Sequence, residues 1–133
     1  ARVGCGASSV ALSAVRVPRM RHGLAVFLLC WSVAASPMRV IDGDSFTADV
    51  RVWLGLTARE TVRVLGVNTP ELKGPTREAA QLALDFTSAW LAPGDVRLDV
   101  CRRDSFGRLL ATVTRGEENL TTLLLTNNHG VPR

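Results

Sequence analysis

The chain has 133 residues, a length typical of one domain. Its 16 Lys and Arg residues and 12 Asp and Glu residues give a net charge of +4, but four arginines and no acidic residue precede Ser36: Arg2, Arg16, Arg19 and Arg21. From Ser36 onward the charges cancel, so the net charge is no evidence for a nucleic-acid partner, and only the arrangement of charges can supply such evidence.

The first predicted element is a secretory signal peptide. The basic residues Arg21 and His22 follow Met20, and a mostly apolar run from Leu24 to Ala35 ends in small residues, which is the layout of a cleavable signal. The run is too short to span a bilayer comfortably, because a spanning helix needs roughly 20 residues. An uncleaved anchor and a buried N-terminal helix are the alternative interpretations.

The leader divides the chain into three predicted parts. Residues 1–19 show no clear periodicity, and we interpret them as an upstream, non-native or disordered segment. Residues 20–35 are the predicted signal peptide, and cleavage after Ala35 would leave a mature domain over residues 36–133. We therefore expect the protein to be secreted, or to lie in the periplasm or cell envelope.

The cysteines and histidines exclude several kinds of site. Cys5 and Cys30 precede the predicted domain, so we expect Cys101 to pack as a small apolar residue without a disulfide or a zinc ion. The two histidines are His22, in the leader, and His129. A Ser–His or Cys–His nucleophile is therefore disfavoured, and any hydrolysis must depend on carboxylates and arginines, with or without a metal ion.

Three strands open the predicted domain. "MRVI" is the first and ends in the turn-forming "DGD". The second is "SFTADVRVWLGL", in which Phe46, Ala48, Val50 and Val52 alternate with polar residues. "TARE" is interpreted as a polar turn, and "TVRVLGV" as the third strand.

A helix and two further strands follow. In "PTREAAQLALDFTSAWLAPG" apolar residues recur at helical spacing, which predicts an amphipathic helix over residues 76–91. "DVRLDVC" and "RLLATVT" are the next strands, and "EENLTTLLLTNN" is a short closing helix. Five strands with a helix between the third and fourth is the order of the OB-fold, a small Greek-key barrel, although the pattern alone permits other topologies.

Three polar segments interrupt this apolar scaffold: Asp42–Ser45, Asn68–Glu71 and Asp104–Arg108. Each is explained by a turn, since Asp-Gly is a strong hairpin signal and Asn, Pro and Gly are typical turn residues. The first two segments also gather oxygen donors, which a hard cation prefers. The residue types therefore leave both a structural and a functional interpretation open.

Arg63 lies between two valines within the third predicted strand. An arginine on a largely apolar strand needs a definite anionic partner. That partner is either structural, such as Glu60 or Glu71, or a phosphate, whose oxygens match the guanidinium fork.

The three segments together resemble a family. "VIDGDSF", "VRVLGVNTPE" and "DSFGR", in this order around a helix, resemble the staphylococcal nuclease-like (thermonuclease) family over about residues 39–131. The resemblance implies a mainly β fold with helices: a five-stranded OB-fold barrel with a helix between strands 3 and 4 and a short C-terminal helix.

The resemblance also implies a calcium site. Asp44 matches a calcium-ligand aspartate of the family, and Thr69 supplies a backbone carbonyl to the metal. Asn68 stands where better-studied members have a second aspartate ligand, so we expect weaker Ca²⁺ binding than with two aspartates.

Catalytic and substrate-binding roles follow from the same resemblance. Glu71 matches the glutamate proposed to activate the attacking water. Arg63 and Arg108 match the arginines that bind the scissile phosphate and neutralise its developing charge. Phe106 occupies the place of a substrate-stacking tyrosine.

The implied function is a secreted, Ca²⁺-dependent, sugar-nonspecific nuclease. Its substrates would be DNA and RNA, preferably single-stranded, and its products would carry 3′-phosphate ends. No stable protein partner is implied, and we expect a monomer. The alternatives are a non-catalytic OB-fold module that binds nucleic acid, and an exported interaction domain without a nucleic-acid role.

Overall fold

The computed structural model describes residues 30–133. The predictions for residues 1–19 and for the first part of the signal peptide lie outside these residues. Among residues 30–133, no helix has both the length and the hydropathy needed to cross a membrane.

The described chain contains two helices and eight strands, three of which have only two residues. In chain order they are β1 (Trp31–Asp42), β2 (Ser45–Trp53), β3 (Leu56–Val64), β4 (Val67–Asn68), α1 (Arg77–Leu91), β5 (Val96–Arg103), β6 (Leu109–Arg115), β7 (Glu118–Asn119), α2 (Leu120–Thr126) and β8 (Val131–Pro132).

The five long strands form a closed barrel. They follow the order β3-β2-β1-β5-β6 with antiparallel pairing, and a parallel pairing of Val62–Val64 with Leu109–Ala111 joins the two ends. Closure leaves no long unpaired edge among these strands. The barrel, with α1 between its third and fourth strands, confirms the predicted fold.

The barrel interior follows from the alternation of apolar residues along the strands. Phe46, Ala48 and Val50 of β2 point inward and are buried, as the sequence pattern predicts. Leu120 and Leu124 of α2 are also fully buried and extend this core beyond the barrel.

Helix α1 fixes the position of the β1–β2 turn. The hydroxyl of Thr87 donates a hydrogen bond of 2.6 Å to the carbonyl of Gly43. A Cβ atom at Gly43 would lie 2.7 Å from the Cβ of Ala83, so only glycine permits this approach. The turn that carries Asp44 is therefore held against the helix.

The β2–β3 connection differs from the prediction. "TARE", interpreted as a polar turn, is part of β3, and the turn lies at Leu54–Gly55. Gly55 has a φ of +72°, a conformation that glycine adopts without steric cost. The polar residues of "TARE" misled the prediction because an exposed strand end has the same composition as a turn.

The first strand begins earlier than the predicted domain boundary at Ser36. Residues Trp31 to Ala35 pair with Val100 to Val96 of β5, and Ala35 is fully buried. A chain beginning at Ser36 would lack this entire pairing. The small apolar residues before Ser36 suit a cleavage site and a strand equally, and the removal of the leader stays a prediction.

The expectation that Cys101 has no disulfide partner is wrong. Cys101 forms a disulfide with Cys30, which directly precedes β1. The prediction failed because it assigned Cys30 to the leader, whereas the pairing of β1 with β5 brings it beside the end of β5.

Candidate functional site

The residues that the sequence analysis singles out line one cleft of about 430 Å³. We call it the polar cleft, and the members predicted from the sequence are Asp44, Arg63, Asn68, Thr69, Glu71, Phe106 and Arg108. They come from the β1–β2 turn, the end of β3, the segment from β4 to α1, and the β5–β6 turn. The fold thus brings together three segments that are far apart in the chain.

Arg63 lies at the base of this cleft in a buried ion pair. Its Nη1 atom is 2.8 Å from Oδ2 of Asp44, and the two side chains are only 5% and 8% exposed. Nη1 also donates to the carbonyls of Val64 and Val67, and Nη2 donates to Oδ1 of Asn68 at 3.1 Å. Burial lowers the pKa of Arg63 below its ordinary value, and the negative charge of Asp44 partly offsets this lowering.

One edge of this guanidinium is not used by the protein. Nε of Arg63 has no hydrogen-bond partner among residues 30–133, and Nη2 donates one of its two N–H groups to Asn68. Nε–H and one Nη2–H therefore remain without a protein acceptor among these residues. Free guanidinium N–H groups are donors with which arginine can bind a phosphate.

Asp44 is oriented by the segment after β4 as well as by Arg63. The backbone N–H of Thr69 donates to Oδ2 of Asp44 at 2.8 Å, and Ser45 Oγ donates to Oδ1 at 3.1 Å. Thr69 is buried, and its hydroxyl oxygen has no hydrogen-bond partner within the described chain. These contacts join the first two polar segments into one unit.

Arg108 is held by a compact turn. Oδ1 of Asp104 accepts from the backbone N–H groups of Phe106 and Arg108, and Oδ2 accepts from Nε of Arg108 at 2.7 Å. Burial alone would raise the pKa of Asp104, but the hydrogen bonds from Arg108 outweigh it and hold the pKa below its ordinary value. Both terminal nitrogens of Arg108 are without partners among residues 30–133, so they remain available for an anion.

Phe106 extends from the same turn into solvent. Its side chain is exposed, and the guanidinium carbon of Arg108 lies 5.4 Å from the ring centroid, within cation–π range. An exposed ring beside an arginine offers a surface on which a nucleobase can stack.

Three carboxylates also line the polar cleft, namely Asp42, Glu71 and Asp44, the partner of Arg63. Burial raises the pKa of Asp42 above its ordinary value, and the negative charges of Asp44 and Glu71 raise it further. Glu71 is exposed, and a turn in which its carbonyl accepts from the N–H of Gly74 fixes its backbone. The raised pKa of Asp42 therefore reflects burial first and the neighbouring carboxylates second.

The donor chemistry here fits Ca²⁺ although the carboxylates form no ready-made cage. Residues 30–133 contain no cluster of three or more His, Cys, Asp or Glu side chains placed to hold a metal. Ca²⁺ also accepts amide oxygens, backbone carbonyls and waters, and the oxygens of Asp44, Asn68 and Thr69 are of these hard types. Soft ligands do not line the cleft.

Several charged residues of the polar cleft had no predicted role: Arg102, Asp104 and Arg133. Asp104 stands in a recognised segment, but its ion pair with Arg108 is visible only in the folded turn. Arg133 reaches the cleft because β8 pairs with β4, and no local pattern predicts a two-residue pairing. The doublet Arg102-Arg103 was a usable signal, since arginines directly before the Asp104–Arg108 segment extend its positive surface.

Comparison with known families agrees with this geometry. The chain matches the family model described as Staphylococcal nuclease homologue over residues 61–129, more than half of its length. The match begins within β3 and includes Arg63, the second polar segment and the Asp104–Arg108 turn. No curated protein matches the chain.

Proposed function

The chain belongs to the staphylococcal nuclease homologue family, and we propose that it is a sugar-nonspecific, Ca²⁺-dependent nuclease. Membership of the family indicates a nuclease or nucleic-acid-related function. Hydrolysis of DNA and RNA, a preference for single strands and a monomeric state belong to the proposal.

The pair of unsaturated arginines in the polar cleft carries this proposal. In the described part of the chain, Arg63 keeps its Nε free, Arg108 keeps its two terminal nitrogens free, and both line one cleft with Glu71. Arg103 also keeps its Nε without a partner in that part, but it is paired with Glu60 and does not line the polar cleft. Free donors beside an exposed carboxylate suit a phosphodiester and an attacking water.

These residues can divide the hydrolysis between them. Glu71 accepts a proton from a water molecule, whose oxygen forms a bond to phosphorus. The bond from phosphorus to the 5′-oxygen breaks, the leaving oxygen takes up a proton, and the other product keeps a 3′-phosphate. Arg63 and Arg108 stabilise the negative charge that grows on the phosphate oxygens, which is usually the largest contribution to catalysis.

The metal would lie beside this phosphate. Asp44, the side-chain oxygen of Asn68 and the carbonyl of Thr69 would hold Ca²⁺, which supplies further positive charge to the phosphate when bound. Asp44 also pairs with Arg63, and this pairing keeps the guanidinium in the cleft when no metal is bound.

An exported location is supported by the disulfide. A bond such as Cys30–Cys101 persists in an oxidising compartment and is rare in the cytosol. This support applies to a chain that retains Cys30, since cleavage after Ala35 would remove it. We therefore propose that the protein is secreted or resides in the periplasm or cell envelope.

The direct test is incubation of the full chain with end-labelled single-stranded DNA, in Ca²⁺ and in excess chelator. We expect cleavage with Ca²⁺, products ending in 3′-phosphate, and no cleavage with chelator. Binding without cleavage in both conditions would instead favour a non-catalytic OB-fold module, which the missing aspartate at Asn68 keeps as the second candidate. Absence of both binding and cleavage would overturn a nucleic-acid role.

A further inference from the structure

A second cleft, of about 340 Å³, lies at the end of the barrel where β1 begins. We call it the apolar cleft, because Val50, Val52, Val100 and Leu109 form much of its lining. Trp31 also lines it and is 60% exposed. Its size falls within the range of small-molecule binding sites, and its apolar lining with an accessible aromatic ring suits a flat, weakly polar group.

Arg102 connects the two clefts. It lines both of them and has no acidic partner among residues 30–133. Its neighbour Arg103 also lines the apolar cleft, but Glu60 neutralises it through two hydrogen bonds of 2.8 Å. The uncompensated positive charge at this boundary is therefore that of Arg102.

We propose that the apolar cleft is a subsite for a nucleobase of a single-stranded substrate, with Trp31 as its stacking surface and Arg102 as the contact to an intervening phosphate. The inference rests on the proposed nucleic-acid function and extends it beyond the scissile bond. Single-strand binding combines a positively charged path with aromatic rings on which successive bases stack. The polar cleft, the charge of Arg102 and the ring of Trp31 supply these parts, and Arg102 lines both clefts.

Of the three tryptophans of the chain, only Trp31 can be the stacking surface of this subsite. The sequence contains no tyrosine, and its three tryptophans are Trp31, Trp53 and Trp90. Trp90 donates its indole N–H to Glu118 and lies against Arg115. Trp53 is 73% exposed at the β2–β3 turn but does not line the apolar cleft. Trp53 is thus a matched control for Trp31.

The experiment measures how affinity depends on substrate length. The full-length protein, in excess chelator to keep the substrate intact, is titrated with a labelled thymidine dinucleotide and a labelled octathymidylate. We expect the octamer to bind more tightly, and Trp31→Ala to reduce the ratio of the two affinities by about tenfold, the size of one lost stacking contact. Trp31→Phe should keep most of the ratio, and Trp53→Ala should keep all of it.

A second pair of variants guards against misfolding of Trp31→Ala. Val52, 39% exposed, lines the cleft, and Leu54, 87% exposed, does not. Val52→Glu should weaken octamer binding by charge repulsion, whereas Leu54→Glu should not. Arg102→Gln should lower the slope of log affinity against log salt by about 0.7 for the octamer, because one phosphate contact is lost.

The outcomes separate this inference from the proposed function. If the ratio of octamer to dinucleotide affinity is the same in the wild type, Trp31→Ala and Val52→Glu, the subsite is overturned. This holds even if the wild type cleaves DNA with Ca²⁺. No binding and no Ca²⁺-dependent cleavage at any length would overturn both. Binding to anionic vesicles that Trp31→Ala abolishes, together with unchanged length dependence, would replace the nucleobase by a lipid surface and overturn the subsite.

Discussion

Arg59 and Arg63 lie four residues apart on β3, and each forms an ion pair with an aspartate of the preceding hairpin. The N–O distances are nearly the same, 2.9 Å to Asp49 and 2.8 Å to Asp44. The Arg59 side chain is 66% exposed, however, whereas that of Arg63 is 5% exposed. The hydrogen bond to Asp49 raises the pKa of Arg59, and burial lowers the pKa of Arg63.

The N–O distance therefore does not determine how an ion pair contributes to stability or function; the burial of the pair does. Water solvates and screens the exposed pair, so it contributes little to stability. Arg63 is removed from water and depends on protein acceptors, and its field acts on the cleft with little screening. One strand therefore carries an ordinary surface arginine and an arginine suited to bind a phosphate.

Removal of each arginine should change the free energy of unfolding to a different extent. Arg63→Ala leaves Asp44 buried without its counter-charge, and we expect the free energy of unfolding to fall by about 3 kcal/mol. Arg59→Ala should leave the urea midpoint unchanged within error. Urea unfolding of the two variants and the wild type tests this, and equal losses would contradict the distinction between the two pairs.

The second prediction is that catalysis in the polar cleft requires a proton acceptor as well as positive charge. Glu71→Gln keeps the shape of the side chain but removes its ability to accept a proton, so kcat should fall about 100-fold. Affinity for an oligonucleotide should change little, because the arginines remain. Steady-state kinetics and anisotropy titrations measure the two effects. Glu117→Gln, an exposed glutamate outside the polar cleft, is the control, and a parallel loss of affinity in Glu71→Gln would argue against a role as base.

The third prediction concerns Asn68, which accepts a hydrogen bond from Arg63 and is a proposed Ca²⁺ ligand. Asn68→Asp adds a negative charge beside the carbonyl and carboxylate donors, so the Ca²⁺ concentration for half-maximal activity should fall about tenfold. Calorimetric titration of Ca²⁺ provides a reading independent of activity. Asn127→Asp, at the end of α2 and not in the polar cleft, adds the same charge elsewhere. If both variants behave like the wild type, Asn68 is not a ligand.

The smallest predicted effect is the pH-dependent contribution of the ion pair between Glu60 and Arg103 to stability. Hydrogen bonds from Arg103 hold the pKa of Glu60 below its ordinary value, outweighing its partial burial. The pair's contribution is therefore complete above the unfolded-state pKa of about 4.3 and is lost as the pH falls through the lower folded-state pKa. Since Arg103 is half exposed, this contribution should be below about 1 kcal/mol.

Urea unfolding of the wild type and Glu60→Gln at neutral and acidic pH measures this contribution. The two proteins should differ slightly at neutral pH and converge in acid. A difference that grows in acid would contradict the assigned sign.

The distinction between local patterns and pairings of distant residues explains what could be predicted from the sequence. The alternation along β2 and the helical spacing of α1 are local, and they predicted a strand and a helix. The barrel topology and the roles of the site residues came from the family resemblance, which the three polar segments and the strand that carries Arg63 support together. The Cys30–Cys101 disulfide, the start of β1 at Trp31 and the arrival of Arg133 depend on pairings between distant residues. A local pattern contains no information about such pairings.

The central claim is that the buried guanidinium of Arg63 acts through its fork on a phosphate. The most direct test compares the rates of Ca²⁺-dependent DNA hydrolysis by Arg63→Lys and Arg59→Lys, since lysine keeps the charge but cannot form the bidentate contact. We predict that Arg63→Lys loses at least about 100-fold in kcat and that Arg59→Lys retains the wild-type rate. Equal rates in the two variants, with both folded, would contradict the claim.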